Sequence, residues 1–278
     1  MENTPADLIY DVGLHRGEDA EFYLKKGFRV VGIEADPELC RAASTRLAGA
    51  LANGQLTIVN QAIASAAGSI VFHRSTKRSE WGTIDPAWAD RNRRKGAGST
   101  QIMVDAAPLG DLFERFGAPY FVKIDIEGMD LTALRSLSGL IRRPRFVSIE
   151  SEKVSFDKLR VEFDTFRELG YDSFKVVAQH TVHRQVPPIP AREGCDVAHR
   201  FERNASGLFG EEAPGQWLTA DAAIEVYKPI FRRYRLVGDD PSIGTRILRP
   251  LARTVGFRAG WYDTHARLAP GSRYFASR

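Results

Sequence analysis

Cysteine is scarce in this 278-residue sequence, which holds only Cys40 and Cys195. Neither belongs to a Cys-x-x-Cys pair, so a disulfide framework and a cysteine-bound zinc site both lack support. No apolar run approaches the roughly 20 residues that a membrane-spanning helix requires. The first residues also lack the basic lead, apolar stretch and small-residue cleavage site of a secretory signal. We therefore expect a cytoplasmic protein that does not enter a membrane.

The excess of basic over acidic side chains is also small, because 39 basic and 35 acidic side chains give a formal net charge of +4. The densest basic cluster stands beside glycines, and we interpret it as a solvated loop. It consists of Arg91, Arg93, Arg94 and Lys95. A surface that follows nucleic-acid phosphates usually presents a broader basic face, so a nucleic-acid partner is disfavoured.

Short apolar runs alternate with amphipathic helical periods along residues 8–179. The runs that end in LIYDVG and VVGIEADP are typical of buried strands, and residues 55–64 read as the third strand. This alternation predicts an α/β fold with a mostly parallel, doubly wound sheet. Ligands of such sheets bind at the carboxyl ends of the strands.

Residues 1–180 are predicted to form the core, with a loop or lid inserted at about residues 75–105. Residues 181–278 are expected to be a C-terminal extension that completes the domain and shapes the acceptor site. Within it, a helical pattern extends to Lys228, where Pro229 is expected to break or kink the helix.

The first candidate binding motif is DVGLHRG, residues 11–17, at the end of the first predicted strand. Gly13 and Gly17 leave room for a ligand beside the backbone, and the next helix begins with unpaired N–H groups. A dinucleotide enzyme prefers the pattern GxGxxG, but His15 occupies the place of the second glycine. Asp11 suits a cationic ammonium or sulfonium group better than a phosphate. The motif therefore predicts a small cationic cofactor.

Glu34 ends the second predicted strand, about 20 residues after the glycine turn, where an acidic residue of a nucleoside-binding fold accepts hydrogen bonds from the ribose hydroxyls. Ala35 follows it in the same predicted cofactor site. Asn60 and Ala62 follow the third strand and offer a polar and an apolar edge for adenine. The alternative for Glu34 is a helix cap or a surface acid.

The motif KIDIEG carries two carboxylates, Asp125 and Glu127, at alternate positions of a predicted strand. Alternate residues point to the same side of a strand. Bringing two carboxylates together in this way costs free energy through charge repulsion unless a cation or a proton lies between them.

The ordered motifs DVGxxxG, IEADP, VKIDIEGMD and FVSIESE resemble those of the FkbM-type methyltransferases, a branch of the class I enzymes that use S-adenosylmethionine. The resemblance covers about residues 8–179 and implies a Rossmann-like class I fold with that cofactor. It implies cofactor contacts through Asp11, Gly13, Gly17 and Glu34. It also implies a catalytic-cleft position for Asp125 and Glu127, and many members have Asn where His15 stands. Members mostly methylate hydroxyl groups, so O-methylation of a small-molecule or saccharide acceptor is expected.

Methyl transfer from a sulfonium depends mainly on the alignment of donor and acceptor. Asp125, Glu127 or Glu150 are candidates to take the proton of a hydroxyl acceptor, and Asp125 is preferred because it ends a central strand. The alternative for Glu150 and Glu152 is a structural ion pair with Lys153. A bound Mg²⁺ needs more oxygen ligands than these motifs supply, so no metal is assigned.

Trp81 and Trp88 in the inserted segment are expected either to stack on the acceptor or to pack over the sheet edge. His180 and His183 near a strand end are further polar candidates. The rival functions are N-methylation or RNA methylation, which the basic cluster would serve, and a non-catalytic partner-binding protein with the same fold. Residues 181–278 would then be the interaction surface.

Overall fold

A computed structural model describes residues 7–152, 155–237 and 260–269 of the chain. The strands are β1 (Leu8–Val12), β2 (Arg29–Glu34), β3 (Leu56–Asn60), β4 (Ala62–Ile63), β5 (Gly68–Ser75), β6 (Ser99–Ala107), β7 (Phe121–Ile124), β8 (Phe146–Glu150), β9 (Tyr171–Ala178) and β10 (Tyr262–Leu268). The α-helices are α1 (Glu18–Lys25), α2 (Pro37–Arg46), α3 (Ala48–Ala52), α4 (Pro86–Arg94), α5 (Leu109–Phe116), α6 (Asp130–Arg135), α7 (Phe156–Glu168) and α8 (Ala220–Val237).

Seven strands form the central sheet in the order β3-β2-β1-β7-β8-β10-β9. Strand β10 runs antiparallel to β8 and β9, and the other recorded pairs in this sheet are parallel. The chain builds outward from β1 in one direction and resumes at β7 on its other side. Such a reversal opens a crevice at the carboxyl ends of the strands. The predicted α/β fold with a mostly parallel, doubly wound sheet is confirmed.

Helices cover both faces of the central strands, which explains why β1 is buried along its whole length. Tyr10 and Val12 pack into one core, which includes Phe163 of α7. Ile9 points to the other face and packs with Phe22 of α1. The two cores thus pack against opposite faces of β1.

The prediction of one continuous third strand at residues 55–64 is wrong in one respect, because the structure divides these residues between two sheets. Strand β3 pairs with β2, whereas β4 pairs with β6 in a three-stranded sheet of order β4-β6-β5. The chain turns at Gln61, whose N–H donates to the carbonyl oxygen of Glu34. Ala62 then packs with Phe72 in the small core of the second sheet.

The inserted segment, predicted as a loop or lid at about residues 75–105, carries regular secondary structure. It contains a 3₁₀ turn (Ser79–Trp81), α4 and most of β6. The Asp85 carboxylate caps α4 by accepting from the Ala87 N–H, and Pro86 stands at its first position. The Asp-Pro pair was therefore the available helix signal.

Pro229 does not break α8, which continues to Val237. A proline inside a helix removes one backbone donor. Tyr227, Phe231 and Tyr234 are buried along the same helix, so packing on both sides of Pro229 stabilises the helix across the lost bond.

The C-terminal region contributes a strand to the central sheet, since β10 lies between β8 and β9. The division of the chain at residue 180 stays a prediction. Of the helices in the described part of the chain, none combines the length and apolar character that crossing a membrane requires.

Candidate functional site

A cavity of about 1070 Å³ opens at the carboxyl ends of the central strands. Gly13 follows β1, Glu34 ends β2, Asp125 follows β7 and Glu150 ends β8, and all four line it. Pockets for small molecules usually measure about 300–1,000 Å³. The cavity therefore has room for a nucleoside cofactor and a small acceptor together.

Most of the residues predicted from the sequence line this cavity. They are Gly13, His15, Glu34, Ala35, Ala62, Asp125, Glu127 and Glu150. Among the described residues, Asp11, Gly17 and Asn60 do not line it. The Asn60 amide nitrogen instead donates to the main-chain oxygens of Glu34 and Ala35, at 2.9 and 3.0 Å. Asn60 therefore supports the turn after β2 from outside the cavity.

Glu34 is held by the backbone on both sides of its carboxylate. Its Oε2 accepts from the His15 N–H and its Oε1 from the Asp36 N–H, both at 2.9 Å. Burial raises the pKa of this carboxyl, and the two backbone hydrogen bonds oppose that rise. The side chain that caps α2 is Asp36, which accepts from the Glu38 N–H. Each Glu34 oxygen retains acceptor capacity, as a ribose diol requires.

His15 joins the turn after β1 to the inserted segment. Its backbone is left-handed, with φ of 52°, a conformation that His and Asn adopt more readily than most residues. The ring Nδ1 lies 3.2 Å from Glu18 Oε1, and Nε2 lies 2.7 Å from Ser79 Oγ. Burial lowers the pKa of His15, but the hydrogen bond and charge of Glu18 outweigh it and raise the pKa above its ordinary value.

Asp11 has a cationic neighbour, but this neighbour is the Lys123 ammonium of the protein itself. Lys123 Nζ lies 3.1 Å from Asp11 Oδ1, 3.4 Å from Asp19 Oδ2 and 3.9 Å from Asp125 Oδ2. Burial would lower the pKa of Lys123, yet these three carboxylates raise it well above its ordinary value. Burial raises the pKa of Asp11 to about 7, with Lys123 acting in the opposite direction.

Lys123 lines the cavity and was not selected from the sequence. It stands opposite Asp11 in the parallel register of β1 and β7. A lone lysine within the apolar strand FVKI was the available signal, since a buried ammonium requires a carboxylate partner.

The prediction that Asp125 and Glu127 share one side of a strand is wrong, because β7 ends at Ile124. The turns after β1 and β7 approach closely, and a Cβ at Gly13 would lie 2.0 Å from the Asp125 carbonyl oxygen. Gly13 is thus required for this approach. The chain then turns, and Glu127 adopts a φ of 28°.

Two residues of the inserted segment donate hydrogen bonds to Glu127. The Trp88 indole N–H donates to the Glu127 carboxylate, and the Thr83 hydroxyl donates to the Glu127 carbonyl oxygen. The Arg91 guanidinium lies over the Trp88 ring, 4.4 Å from its centroid. Trp88 therefore packs against the turn after β7, whereas Trp81 lines the cavity.

The basic cluster is not a solvated loop, since Arg91, Arg93 and Arg94 belong to α4. Arg91, Arg94 and Lys95 line the cavity. Arg93 points elsewhere and pairs with Asp90 at 2.6 Å. The glycines beside the cluster were misleading because Gly96 follows the helix and ends it.

Carboxylates concentrate where β7, β8 and β10 end. Asp263 of β10 is paired in register with Glu150 of β8, and both line the cavity. Burial, together with the charges of Asp125 and Glu150, raises the pKa of Asp263 well above its ordinary value. Asp263 was not among the residues selected from the sequence, where residues 181–278 were assigned only as a C-terminal extension.

The remaining residues named from the sequence are two ion-pair candidates, Glu152 and Lys153, and two histidines, His180 and His183. Lys153, the proposed partner of Glu150 and Glu152, lies outside the described residues. The Glu152 carboxylate accepts from the Ser155 N–H at 3.2 Å. His180 lines the cavity beside Trp261, whereas His183 does not.

Comparison with known proteins identifies similar chains. The model of the methyltransferase FkbM domain matches residues 11–173. No curated protein matches the chain. A methyltransferase FkbM from Methylobacillus flagellatus KT is 20% identical, with a TM-score of 0.41 over 61% of this chain and 39% of that one. The chain thus spans well under half the length of that protein.

Two further solved structures cover more of the chain at lower identity. A precorrin-6y C5,15-methyltransferase from Geobacter metallireducens GS-15 is 11% identical, with a TM-score of 0.37 over 94% of this chain and 80% of that one. A SAM-dependent methyltransferase from Thiobacillus denitrificans, in complex with S-adenosyl-L-homocysteine, is 11% identical, with a TM-score of 0.34 over 95% and 85%.

The family match covers more than half of the sequence, from the Asp11 of the first motif to the start of β9. The chain therefore belongs to the FkbM family of methyltransferases, whose cofactor is S-adenosylmethionine.

Proposed function

We propose that this protein transfers a methyl group from S-adenosylmethionine to a hydroxyl oxygen of a small molecule or saccharide. The observation that carries the proposal is one cavity, about 1070 Å³ in volume, that joins Glu34 to the strand-end carboxylates Asp125 and Glu150. A nucleoside-binding acid and proton-accepting groups thus face the same space.

The residues at the ends of β1 and β2 fit the cofactor. The Glu34 carboxylate, oriented by two backbone N–H groups, has acceptor capacity for both ribose hydroxyls. Ala35 and Ala62 line the cavity beside it and offer an apolar edge for adenine. Gly13 and His15 line the same end and complete the proposed cofactor contacts. We assign Asp11, Gly17 and Asn60 a supporting role, because they shape the turns without lining the cavity.

S-adenosylmethionine supplies a methyl carbon whose bond to sulfur breaks as the acceptor oxygen bonds to it, the electron pair staying on sulfur. The chain's own residues must then orient the acceptor and take its proton. Asp125 is the first candidate, because its side chain lines the cavity and is 46% exposed. Glu150 and Glu127 line the same region and are the other candidates.

Titration calorimetry with S-adenosylhomocysteine tests the cofactor site first. One site per chain is expected, and the absence of both heat and a thermal shift at saturating ligand would count decisively against the proposal. A panel of hydroxyl, amine and RNA acceptors, assayed by release of S-adenosylhomocysteine, then tests the reaction. Release with a hydroxyl compound alone supports O-methylation, whereas turnover only with amines or RNA overturns it.

Asp125→Asn separates proton transfer from cofactor binding. We expect kcat on the identified acceptor to fall by a factor of about 10²–10⁴, while the affinity for S-adenosylhomocysteine stays unchanged. Asp164→Asn is the matched control, because Asp164 is an exposed carboxylate on α7 that pairs with Arg167. An unchanged kcat in Asp125→Asn would remove this residue from the proposed proton path.

A further inference from the structure

One amide side chain at the cavity wall is buried without a partner in the fold. Gln179 directly follows β9, is 2% exposed and lines the cavity. Neither its amide nitrogen nor its amide oxygen has a recorded hydrogen-bond partner among the described residues. Burying a polar group without a partner is unfavourable, so buried amides are normally hydrogen-bonded. The Gln179 side chain therefore indicates a partner that enters the cavity.

Gln185 shows what a structural amide does in the same region. Its amide oxygen accepts a hydrogen bond from the Leu208 N–H at 2.8 Å, so it joins two distant parts of the chain. Gln185 does not line the cavity. Gln179 carries the same functional group at the cavity wall without any such recorded contact.

The strand register places a second polar group on the same side of the sheet. Asp263 of β10 is paired with Val177 of β9, and Gln179 follows Val177 by two positions. Paired residues share a face, and alternate residues of a strand point to the same side. Asp263 lines the cavity, is 7% exposed and has no recorded side-chain hydrogen bond within the described part of the chain.

These two polar groups lie beside the proposed site of methyl transfer. Asp263 is also paired with Glu150 of β8, which lines the cavity. In the neighbouring strand β7, Ile124 is paired with Ile149 of β8, and Asp125 follows Ile124. Asp125, Glu150 and Asp263 therefore lie at the same edge of three neighbouring strands. An acceptor bound to Gln179 and Asp263 extends towards Asp125.

The chemistry of the two side chains selects the group that they can bind. An amide donates through its N–H groups and accepts through its oxygen, and a protonated carboxyl also does both. Burial and the charges of two neighbouring carboxylates raise the pKa of Asp263 and so favour its protonated form. An ammonium group only donates and an ionised phosphate or carboxylate only accepts, so each would leave part of the pair unmatched. Hydroxyl groups match both the donors and the acceptors.

An aromatic side chain lies next to these polar groups. Trp261 lines the cavity and is 41% exposed, and its carbonyl oxygen accepts from the Gln179 N–H at 3.0 Å. Gly260 lets the chain pass close to His180, because a Cβ at Gly260 would lie 2.6 Å from the His180 Nδ1. Ligand pockets combine aromatic surface with a few placed polar groups in this way. A sugar ring, with an apolar C–H face and a polar edge, suits this combination.

We propose, on the basis of the proposed function, that the acceptor is an uncharged sugar ring that Gln179 and Asp263 bind through hydroxyl groups next to the one that is methylated. Trp261 supports the apolar face of the ring. The methyl group goes to the hydroxyl nearest Asp125, and the hydroxyls on Gln179 and Asp263 determine which ring is accepted. Gln179 is thus a specificity-determining residue of the acceptor site.

The test is saturation-transfer NMR on the full chain saturated with S-adenosylhomocysteine. The probes are the methyl glycosides of glucose, galactose, mannose and rhamnose. Cyclohexanol serves as a ring with a single hydroxyl group, and catechol as a flat aromatic diol. We expect at least one glycoside to bind, and to bind more tightly than cyclohexanol and catechol. The proposal is overturned if no glycoside binds, or if cyclohexanol or catechol binds as well as the best glycoside.

Gln179→Leu separates ligand binding from a structural role. It removes both amide atoms and keeps a side chain of similar size. We expect the dissociation constant of the best-bound glycoside to rise about tenfold, because its hydroxyls lose hydrogen-bond partners. The midpoint of thermal unfolding should not fall, since no recorded side-chain hydrogen bond is lost. Gln185→Leu is the matched control, which loses the bond to Leu208 and should unfold at a lower temperature with glycoside binding unchanged.

Unchanged glycoside binding in Gln179→Leu overturns the proposal. Asp263→Asn keeps a group that both donates and accepts, so this variant should retain glycoside binding. Loss of binding in Asp263→Asn would mean that an ionised carboxylate is required, and would overturn the assignment of an uncharged site. The affinity of each variant for S-adenosylhomocysteine, and methyl transfer to any hydroxyl acceptor, distinguish failure of this inference from failure of the proposed function.

Discussion

The two halves of the cavity are built in different ways. The half at the ends of β1 and β2, here the β1–β2 half, uses side chains and backbone from residues 13–35, with Ala62 beside them. The half at the ends of β7, β8 and β10, here the β7–β10 half, also draws on α4, α8 and residues 179–180. A binding site formed by one short stretch is readable from local motifs, whereas a site assembled from distant segments is not.

The buried charges beneath the two halves differ as well. Under the β1–β2 half, Lys123 lies within ion-pair distance of Asp11 and Asp19. Under the β7–β10 half, burial raises the pKa values of the Asp130 and Glu162 carboxyls well above their ordinary values. Among the described residues, neither of these acids has a recorded lysine or arginine partner. The first half is thus held by an ion network and the second by acids that favour their protonated form.

Removing the cation from the network should have the largest effect. Lys123→Met leaves Asp11 and Asp19 buried without their ammonium partner, and we expect the free energy of unfolding to fall by about 3–5 kcal/mol. Urea unfolding measures this loss. Lys228→Met is the control, because Lys228 forms an exposed ion pair with Glu225 and should change stability by less than about 1 kcal/mol. Equal stability of the two variants would contradict the proposed network.

Glu34→Ala tests the binding role of the β1–β2 half. Loss of hydrogen bonds to a charged acceptor should weaken S-adenosylhomocysteine binding by roughly 1.5–3 kcal/mol, about 10- to 100-fold. Calorimetry on the folded variant measures it. Glu38→Ala, which removes an exposed carboxylate from the next helix, should bind normally. A normal affinity in Glu34→Ala would remove the ribose assignment.

The contrast between the halves explains which features could be predicted from the sequence. The α/β alternation and the turn that contains Gly13 follow from local periodicity and glycine chemistry, and Glu34 follows from its place at a strand end. Asp263 could not be found in this way, because β10 enters the sheet beside β8 from more than 100 residues away. The reach of Arg94 into the cavity depends on how α4 packs against Glu127, a tertiary contact without a local sequence pattern.

Trp88→Phe should affect the β7–β10 half alone. It keeps most of the ring and removes the indole donor, so the Glu127 carboxylate loses a hydrogen-bond partner. We expect a loss of about 1–2 kcal/mol in the free energy of unfolding, with S-adenosylhomocysteine affinity unchanged. Thermal unfolding and calorimetry on the same sample separate the two quantities. A matching loss of cofactor affinity would mean that the halves are not independent.

The smallest expected effect concerns pH and the buried Glu162. Its Oε1 accepts from the Glu152 N–H at 3.0 Å, and its Oε2 is buried without a recorded partner among the described residues. Burial raises the pKa of this carboxyl, so the folded protein keeps the proton to higher pH than the unfolded chain. As the pH rises above the unfolded pKa of about 4.3, ionisation of the unfolded state increasingly favours unfolding.

Glu162→Gln removes that ionisation while retaining an amide oxygen that can accept from the Glu152 N–H. The variant should be more stable than the parent by about 1 kcal/mol at pH 8, and the difference should shrink towards zero as the pH falls to about 4. Urea unfolding at several pH values measures both. Glu168→Gln, at an exposed position of the same helix, should show no such trend. A constant difference across the pH range would mean that packing, and not the proton, determines the effect of Glu162.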